Sequence, residues 1–257
     1  MNRARGYQAG ANAATLANAV LGVGAIGYTL AGNKLFALLL VVGAIGFDGL
    51  DGLLHRRGGG PPTLTGRILD SSADAISFGI APGFLLAVHT YAAQSFGPYA
   101  TVALLVGIEV AVLALVRLVY FTLRSYARPY FLGASTPQTT LALVALVLLF
   151  DQPGFLGSEP ILLLGVAALL APLMVAPIPF PKIRRGASLR WLMTATSVAL
   201  ALALVPAQFV PARGSAIFLV SEAATWAATF GVAVYYILGP WSARLDERKV
   251  AEGTPHA

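Results

Sequence analysis

Apolar positions in this chain fall in long unbroken runs, and short polar breaks separate them. A run of about 18 residues or more is long enough to cross the hydrocarbon core of a bilayer as a helix. Eight such spans are read, at residues 12–32, 35–55, 68–93, 98–122, 137–151, 160–180, 191–210 and 215–239. The fifth is the shortest. The pattern predicts an all-α, polytopic membrane helix bundle of about eight transmembrane helices joined by short loops. No internal repeat or low-complexity tract interrupts it, and the residues from Asp246 onward read as a polar, frayed tail.

Composition agrees with a chain that lives in lipid. It is 57% hydrophobic and 11% charged, with a mean hydropathy of +0.76, against about 25% charged residues in soluble domains. At 257 residues it reads as one compact unit. Cysteine is absent, which excludes disulfides and thiolate metal ligands. The first apolar run is too long for a cleaved secretory signal and has no small-residue cleavage site followed by a soluble domain. A formal charge of +6 is read as basic loops facing anionic lipid, not as a nucleic-acid surface. With the N-terminus inside, 15 of the 17 lysines and arginines fall on inner segments, leaving only Lys34 and Arg213 outside. This bias puts both termini in the cytoplasm, in a multi-pass protein of the cell membrane.

Against that background the acidic residues are informative. Four of the eleven lie between Phe47 and Ala81, at Asp48, Asp51, Asp70 and Asp74, near the predicted inner face. The first pair is spaced i,i+3 and the second i,i+4, so each pair shares one face of its helix. Carboxylates gathered at a membrane lose water and repel one another unless protons, arginines or divalent cations compensate them. Hard cations such as Mg²⁺ take oxygen ligands and commonly bridge carboxylates to substrate phosphates. Two of them can clamp a diphosphate during a displacement. Gly52 and Gly66, beside the acids, leave room for a nucleotide or phosphate to approach the backbone. The acids lie in the first half, and the last two spans are apolar apart from Glu222. This sets residues 1–185, a core of six spans, apart from residues 186–257, two added spans and the tail.

These residues resemble the signature of the CDP-alcohol phosphotransferases, D-x-x-D-G-x-x-A-R followed by G-x-x-x-D-x-x-x-D. Asp48, Asp51, Gly52, Arg56, Gly66, Asp70 and Asp74 stand at its positions, and SFGIAPG from Ser77 resembles its continuation. His55 occupies the place of the alanine, and the link to Gly66 is one residue longer counted from Arg56 than from Arg57. Arg56 keeps register with Asp51 and Gly52, and His55 reads as solvent-facing. The resemblance implies two divalent ions, Mg²⁺ or Mn²⁺, held by Asp48, Asp51, Asp70 and Asp74. It implies that Gly52, Arg56, Gly66 and Asp70 bind the CDP group of a CDP-linked lipid, and that Asp74 is the general base. It also implies a homodimer, with the active site on the cytoplasmic side. A carboxylate as base is sound chemistry on its own, because a hydroxyl at its own pKa is a poor nucleophile.

Three weaker stretches resemble one branch of the family, the phosphatidylserine synthases. They are TLANAVLGVG from Thr15, with Asn18 and Gly22; GASTPQTT from Gly133; and LMVAPIPFPKIR from Leu173. The branch's R-L-A-R-(F/Y)-N is kept at Arg117, Leu118 and Phe121 but has Tyr120 and Thr122 in place of its second arginine and asparagine. Arg124 is read as a replacement cation on the same face as Arg117, and Arg117, Arg124 and Asn18 as acceptor- or phosphate-binding residues. Glu109, mid-way along the fourth span, either bonds a neighbouring helix or lines a polar cavity. The expected reaction is transfer of a phosphatidyl or archaetidyl group from CDP-diacylglycerol or a CDP-archaeol-type lipid to L-serine. The same transfer to glycerol phosphate, inositol phosphate or inositol is the alternative. A cation transporter is a remote third, disfavoured because the acids gather at one face and not near the midplane.

Overall fold

Backbone polar groups find no water to bond in hydrocarbon, and this chain answers by closing nearly all of its backbone inside helices. The structure is a computed structural model that describes residues 2–58, 64–94, 98–123, 130–151, 160–181, 187–209 and 216–251. The helices are α1 (Asn2–Leu30), α2 (Lys34–Gly58), α3 (Leu64–Asp74), α4 (Ala81–Gln94), α5 (Pro98–Leu123), α6 (Thr136–Phe150), α7 (Pro160–Leu170), α8 (Ala187–Phe209) and α9 (Ala216–Ala251). A π-helical segment, Ala75–Ile80, joins α3 to α4 in one continuous rod, and a 3₁₀ turn, Ala171–Met174, closes α7. Among the described residues, five helical stretches are long and apolar enough to cross a membrane, and three further apolar helices are shorter.

The boundaries shift from the predicted ones for local reasons. Helix α1 starts at Asn2, well before residue 12, because nothing in the polar stretch ahead of the apolar run breaks a helix. The sixth run stops at Met174, not 180, as Pro172, Pro177 and Pro179 remove backbone donors. The tail expected to fray from Asp246 is instead helical through Ala251, where Asp, Glu, Arg and Lys are tolerated helix formers.

Small residues set the distances between helices. A Cβ added at Gly107 would lie 2.4 Å from the Gly83 carbonyl oxygen, so α4 and α5 meet backbone to backbone. Opposite that contact, Leu104, Leu105, Ile108, Val112, Val116 and Val119 of α5 are exposed, an apolar stripe suited to lipid. The shortest predicted span, α6, is buried along almost its whole length and forms the central post of the bundle. Helices α8 and α9 pack on each other and against α2 and α6, so the C-terminal pair is docked onto the first six spans.

Among the described residues the one sheet is a two-stranded antiparallel ribbon. Strand β1 (Tyr130–Leu132) pairs with β2 (Pro179–Pro181), Phe131 opposite Phe180. Gly133 follows at φ +78°, and a Cβ there would fall 2.1 Å from the Met174 carbonyl oxygen. The Gly133 and Ala134 amides donate to Ile178 and Leu173 oxygens at 2.9 and 2.8 Å. The segments after Gly133 and after Leu173, far apart in sequence, thus become one unit.

At the end of the bundle remote from Asp48 and Asp51, Lys34 pairs with Asp151, and His89 Nε2 stands 3.4 Å from the other Asp151 oxygen. Burial works to raise the Asp151 carboxyl, but the His89 hydrogen bond and the Lys34 charge outweigh it and hold the group below its ordinary value. A lowered folded-state pKa contributes stability above the unfolded value, and that stability is lost as pH falls through the folded one. Asp151→Asn is therefore expected to lower the melting temperature at neutral pH, with the gap from wild type closing below about pH 4. A gap that persists unchanged into stronger acid would contradict this.

Candidate active site on α1, α2 and α3

Asp48 and Asp51 lie one turn apart on α2, and Asp70 and Asp74 one turn apart on α3. Helix α1 packs against both of these helices and brings the two pairs toward one another. One carboxylate oxygen from each of Asp48, Asp70 and Asp74 falls within 4.8 Å of the others. Asp51 stands beside this triad, its side chain reaching Asp70. It is also held elsewhere, since its Oδ2 accepts a 2.6 Å hydrogen bond from Thr15 Oγ1 and its Oδ1 lies 3.1 Å from His55 Nε2. His55 is thus turned onto Asp51, one helical turn away, and not toward solvent as expected, because i,i+4 side chains on α2 are neighbours.

Helix α1 supplies the wall of the site. Thr15, Asn18 and Gly22 recur at helical spacing on one face. Asn18, fully buried, donates from Nδ2 to Asp74 Oδ1 at 2.9 Å, and its backbone oxygen accepts from Ser77 Oγ at 2.8 Å. At Gly22 a Cβ would lie 2.3 Å from Ser77 Oγ, so only glycine admits the π-helical segment that directly follows Asp74. Such segments are rare and recur at functional sites. Here it absorbs Pro82, which has no N–H for the turn before it; the Phe78 carbonyl, four residues back, accepts from Thr140 Oγ1 of α6 at 3.0 Å. The end of α5 is tied in by a hydrogen bond between Ser71, on α3, and Thr122, which in turn donates to the Leu118 oxygen.

The remaining expected residues are placed as follows. A Cβ on Gly52 would sit 3.2 Å from an Arg56 Nη1, so the Arg56 guanidinium folds back over that glycine; both Arg56 and Arg57 are exposed. Gly66 is half-buried on α3, one turn before Asp70. Arg117 is buried, donates from Nη1 to Thr136 Oγ1 at 3.0 Å, stands over the Phe131 ring at 5.9 Å, and is electrostatically coupled to Asp74. Arg124 and residues 59–63 of the link lie outside the described residues. Thr15 and Ser77 were visible only as members of quoted stretches; their contacts with the acids depend on packing between helices.

The donor set is chemically suited to a hard divalent cation: carboxylate oxygens, closely grouped, on two helices braced by a third. Comparison with known proteins agrees. The family model described as CDP-alcohol phosphatidyltransferase matches residues 9–231. A CDP-diacylglycerol–serine O-phosphatidyltransferase of Helicobacter pylori (strain J99 / ATCC 700824) is 31% identical over 177 residues, covering 68% of this chain and 72% of that protein. The protein of the same name from Bacillus subtilis (strain 168) is 29% identical over 175 residues, 68% of this chain and 90% of its own length. One from Mycobacterium leprae (strain TN) is 32% identical over 145 residues, 54% of this chain and 47% of its own.

Replacing Gly22 by valine forces α1 away from the π-helical segment. Overpacking of this kind costs about 1–3 kcal/mol, or several degrees of melting temperature for a chain of this size. Thermal unfolding of detergent-solubilised Gly22→Val checks it, and an unchanged melting temperature would mean that α1 does not brace the site.

Proposed function

The chain belongs to the CDP-alcohol phosphatidyltransferase family, and from that premise we propose that it transfers a phosphatidyl or archaetidyl group from a CDP-linked lipid to L-serine, releasing CMP. The observation that carries the reading is the Asp48–Asp70–Asp74 cluster with Asn18 bonded to Asp74. The serine acceptor is supported by the shared name of the relatives.

In this reading Asp48, Asp51, Asp70 and Asp74 hold two divalent ions, Mg²⁺ or Mn²⁺. When bound, these supply positive charge to the diphosphate and to the departing CMP. Gly52 and Gly66 leave the backbone open to the nucleotide, and Arg56 lies over Gly52 to meet a phosphate. Asn18 holds one oxygen of Asp74, which fixes the carboxylate so that it can accept the acceptor's hydroxyl proton. The freed hydroxyl oxygen bonds to the lipid-linked phosphorus, and the bond from that phosphorus to the bridging oxygen breaks. CMP carries away the electron pair and a new phosphodiester remains. Arg117, coupled to Asp74, lies on the acceptor side. The inner-segment bias of Lys and Arg supports a cytoplasmic site with both termini inside.

A second reading keeps the chemistry and changes the alcohol to glycerol phosphate, inositol phosphate or inositol. Tyr120 and Thr122, where serine-specific relatives of this type are expected to carry arginine and asparagine, favour keeping it in view.

Membranes carrying the chain, given CDP-lipid and Mg²⁺ or Mn²⁺, are expected to release CMP on addition of L-serine, and to stop when the ions are chelated. Asp74→Asn is expected to lower turnover by about 10²–10⁴-fold, the contribution of a general base, with expression unchanged. Full activity of that variant would remove Asp74 from the base role. Release of CMP with another alcohol and not with serine would move the assignment to the second reading.

A further inference from the structure

Around Arg117 the bundle buries a second polar cluster, to which the transfer chemistry above assigns no group of the substrate. Arg117 Nε is buried with no hydrogen-bond partner among the described residues, and Ser135 Oγ and the Tyr235 hydroxyl, buried beside it, have no partner there beyond each other. A buried polar atom left unpaired costs about 1–3 kcal/mol, and such groups in a native fold point to a partner from outside the chain.

The three are held together by elements distant in sequence. Tyr235 of α9 is 1% exposed, stacks on Phe180 of β2 at 5.6 Å, and faces both Ser135 and Arg117. Its neighbour Tyr236 is pinned by a 2.9 Å hydrogen bond with Thr139 of α6. Ser135 is the residue before α6, yet its hydroxyl makes no capping bond, and Pro137 offers no N–H. The amino end of α6 therefore faces the cluster with its partial positive charge unspent. Arg117 is anchored by Thr136 on one side and by the Phe131 ring on the other, while its Nε–H has no partner among the described residues.

We propose that this cluster binds the carboxylate of the amino-acid acceptor, and that Tyr235 is a specificity-determining residue contributed by the C-terminal helix pair. The proposal rests on serine transfer as read above. The chemistry selects a carboxylate: Arg117 Nε–H, the Tyr235 hydroxyl and the Ser135 hydroxyl are donors arranged around one site, and a single guanidinium balances one negative charge. A phosphate dianion would call for more positive charge than this cluster offers. Hydrogen bonds tie the cluster to the segment that follows the base: the oxygen of Phe78, one turn after Asp74, accepts from Thr140, one turn after the Thr136 that holds Arg117. Serine is short, so its carboxylate must sit close to the base that receives its hydroxyl proton.

The test compares L-serine with L-serine methyl ester, which has the hydroxyl and amine but no carboxylate charge, using the full chain in membranes with CDP-lipid and Mg²⁺. Wild type is expected to prefer serine strongly. In Tyr235→Phe, which removes only the hydroxyl, the KM for serine should rise about tenfold, as for loss of roughly 1.4 kcal/mol. The ester's kcat/KM and the KM for CDP-lipid should stay within about twofold, so that discrimination narrows by about the same tenfold. Ser135→Ala should act in the same direction and serves as the independent variant if Tyr235→Phe does not accumulate. An unshifted serine KM in the folded variants, or an equal loss for the ester and for serine, overturns the carboxylate site while leaving serine transfer standing. A wild-type chain that turns over another alcohol but not serine overturns both.

Discussion

Carboxylates packed into an apolar bundle repel one another and lose the water that would screen them, and much of the local structure here answers that single difficulty. Asp48, Asp70 and Asp74 come within 4.8 Å of each other. No ordinary core would tolerate this. The chain surrounds them with polar groups in fixed places: Asn18 donates to Asp74, Thr15 donates to Asp51, and His55 stands against the other Asp51 oxygen. These contacts orient the oxygens without cancelling several negative charges, and that residual imbalance suits the site to hard cations.

Orientation of the carboxylates is in turn a matter of backbone fit. Helix α1 can lie close enough to reach both acidic helices only because Gly22 makes room for Ser77. The π-helical segment after Asp74 changes the phase of the rod, so α3 can turn its acids inward while α4 packs its Gly83 face on Gly107 of α5. The carbonyl that Pro82 would otherwise strand is taken by Thr140. Each irregularity is answered by a neighbour, and all of them lie within two turns of the site.

The surroundings of Arg117 are completed by the far end of the chain. The ribbon between β1 and β2 brings the stretch after Gly133 against the stretch after Leu173, and Tyr235 closes over both through Phe180. The last two helices, which carry none of the acidic signature, thus reach the surroundings of Arg117.

Much of this was legible from residue order alone. Long apolar runs can only become helices in a membrane, because an unpaired backbone is too costly there, and i,i+3 and i,i+4 spacing alone puts each aspartate pair on one face. Asn18 and Gly22 could be singled out beside a motif, and Arg117 likewise. What spacing could not supply is distance between helices. That Asp51 would be engaged by Thr15 and His55, that His55 would face inward, and that Tyr235 would stand by Arg117 all follow from interhelical packing, which a one-dimensional pattern does not encode. The tail that continues as helix and the ribbon that pairs two proline-bearing loops are of the same kind. Local propensity determined the elements and the acidic faces; the close approaches at Gly22, Gly107 and Gly133 decided which of those faces meet.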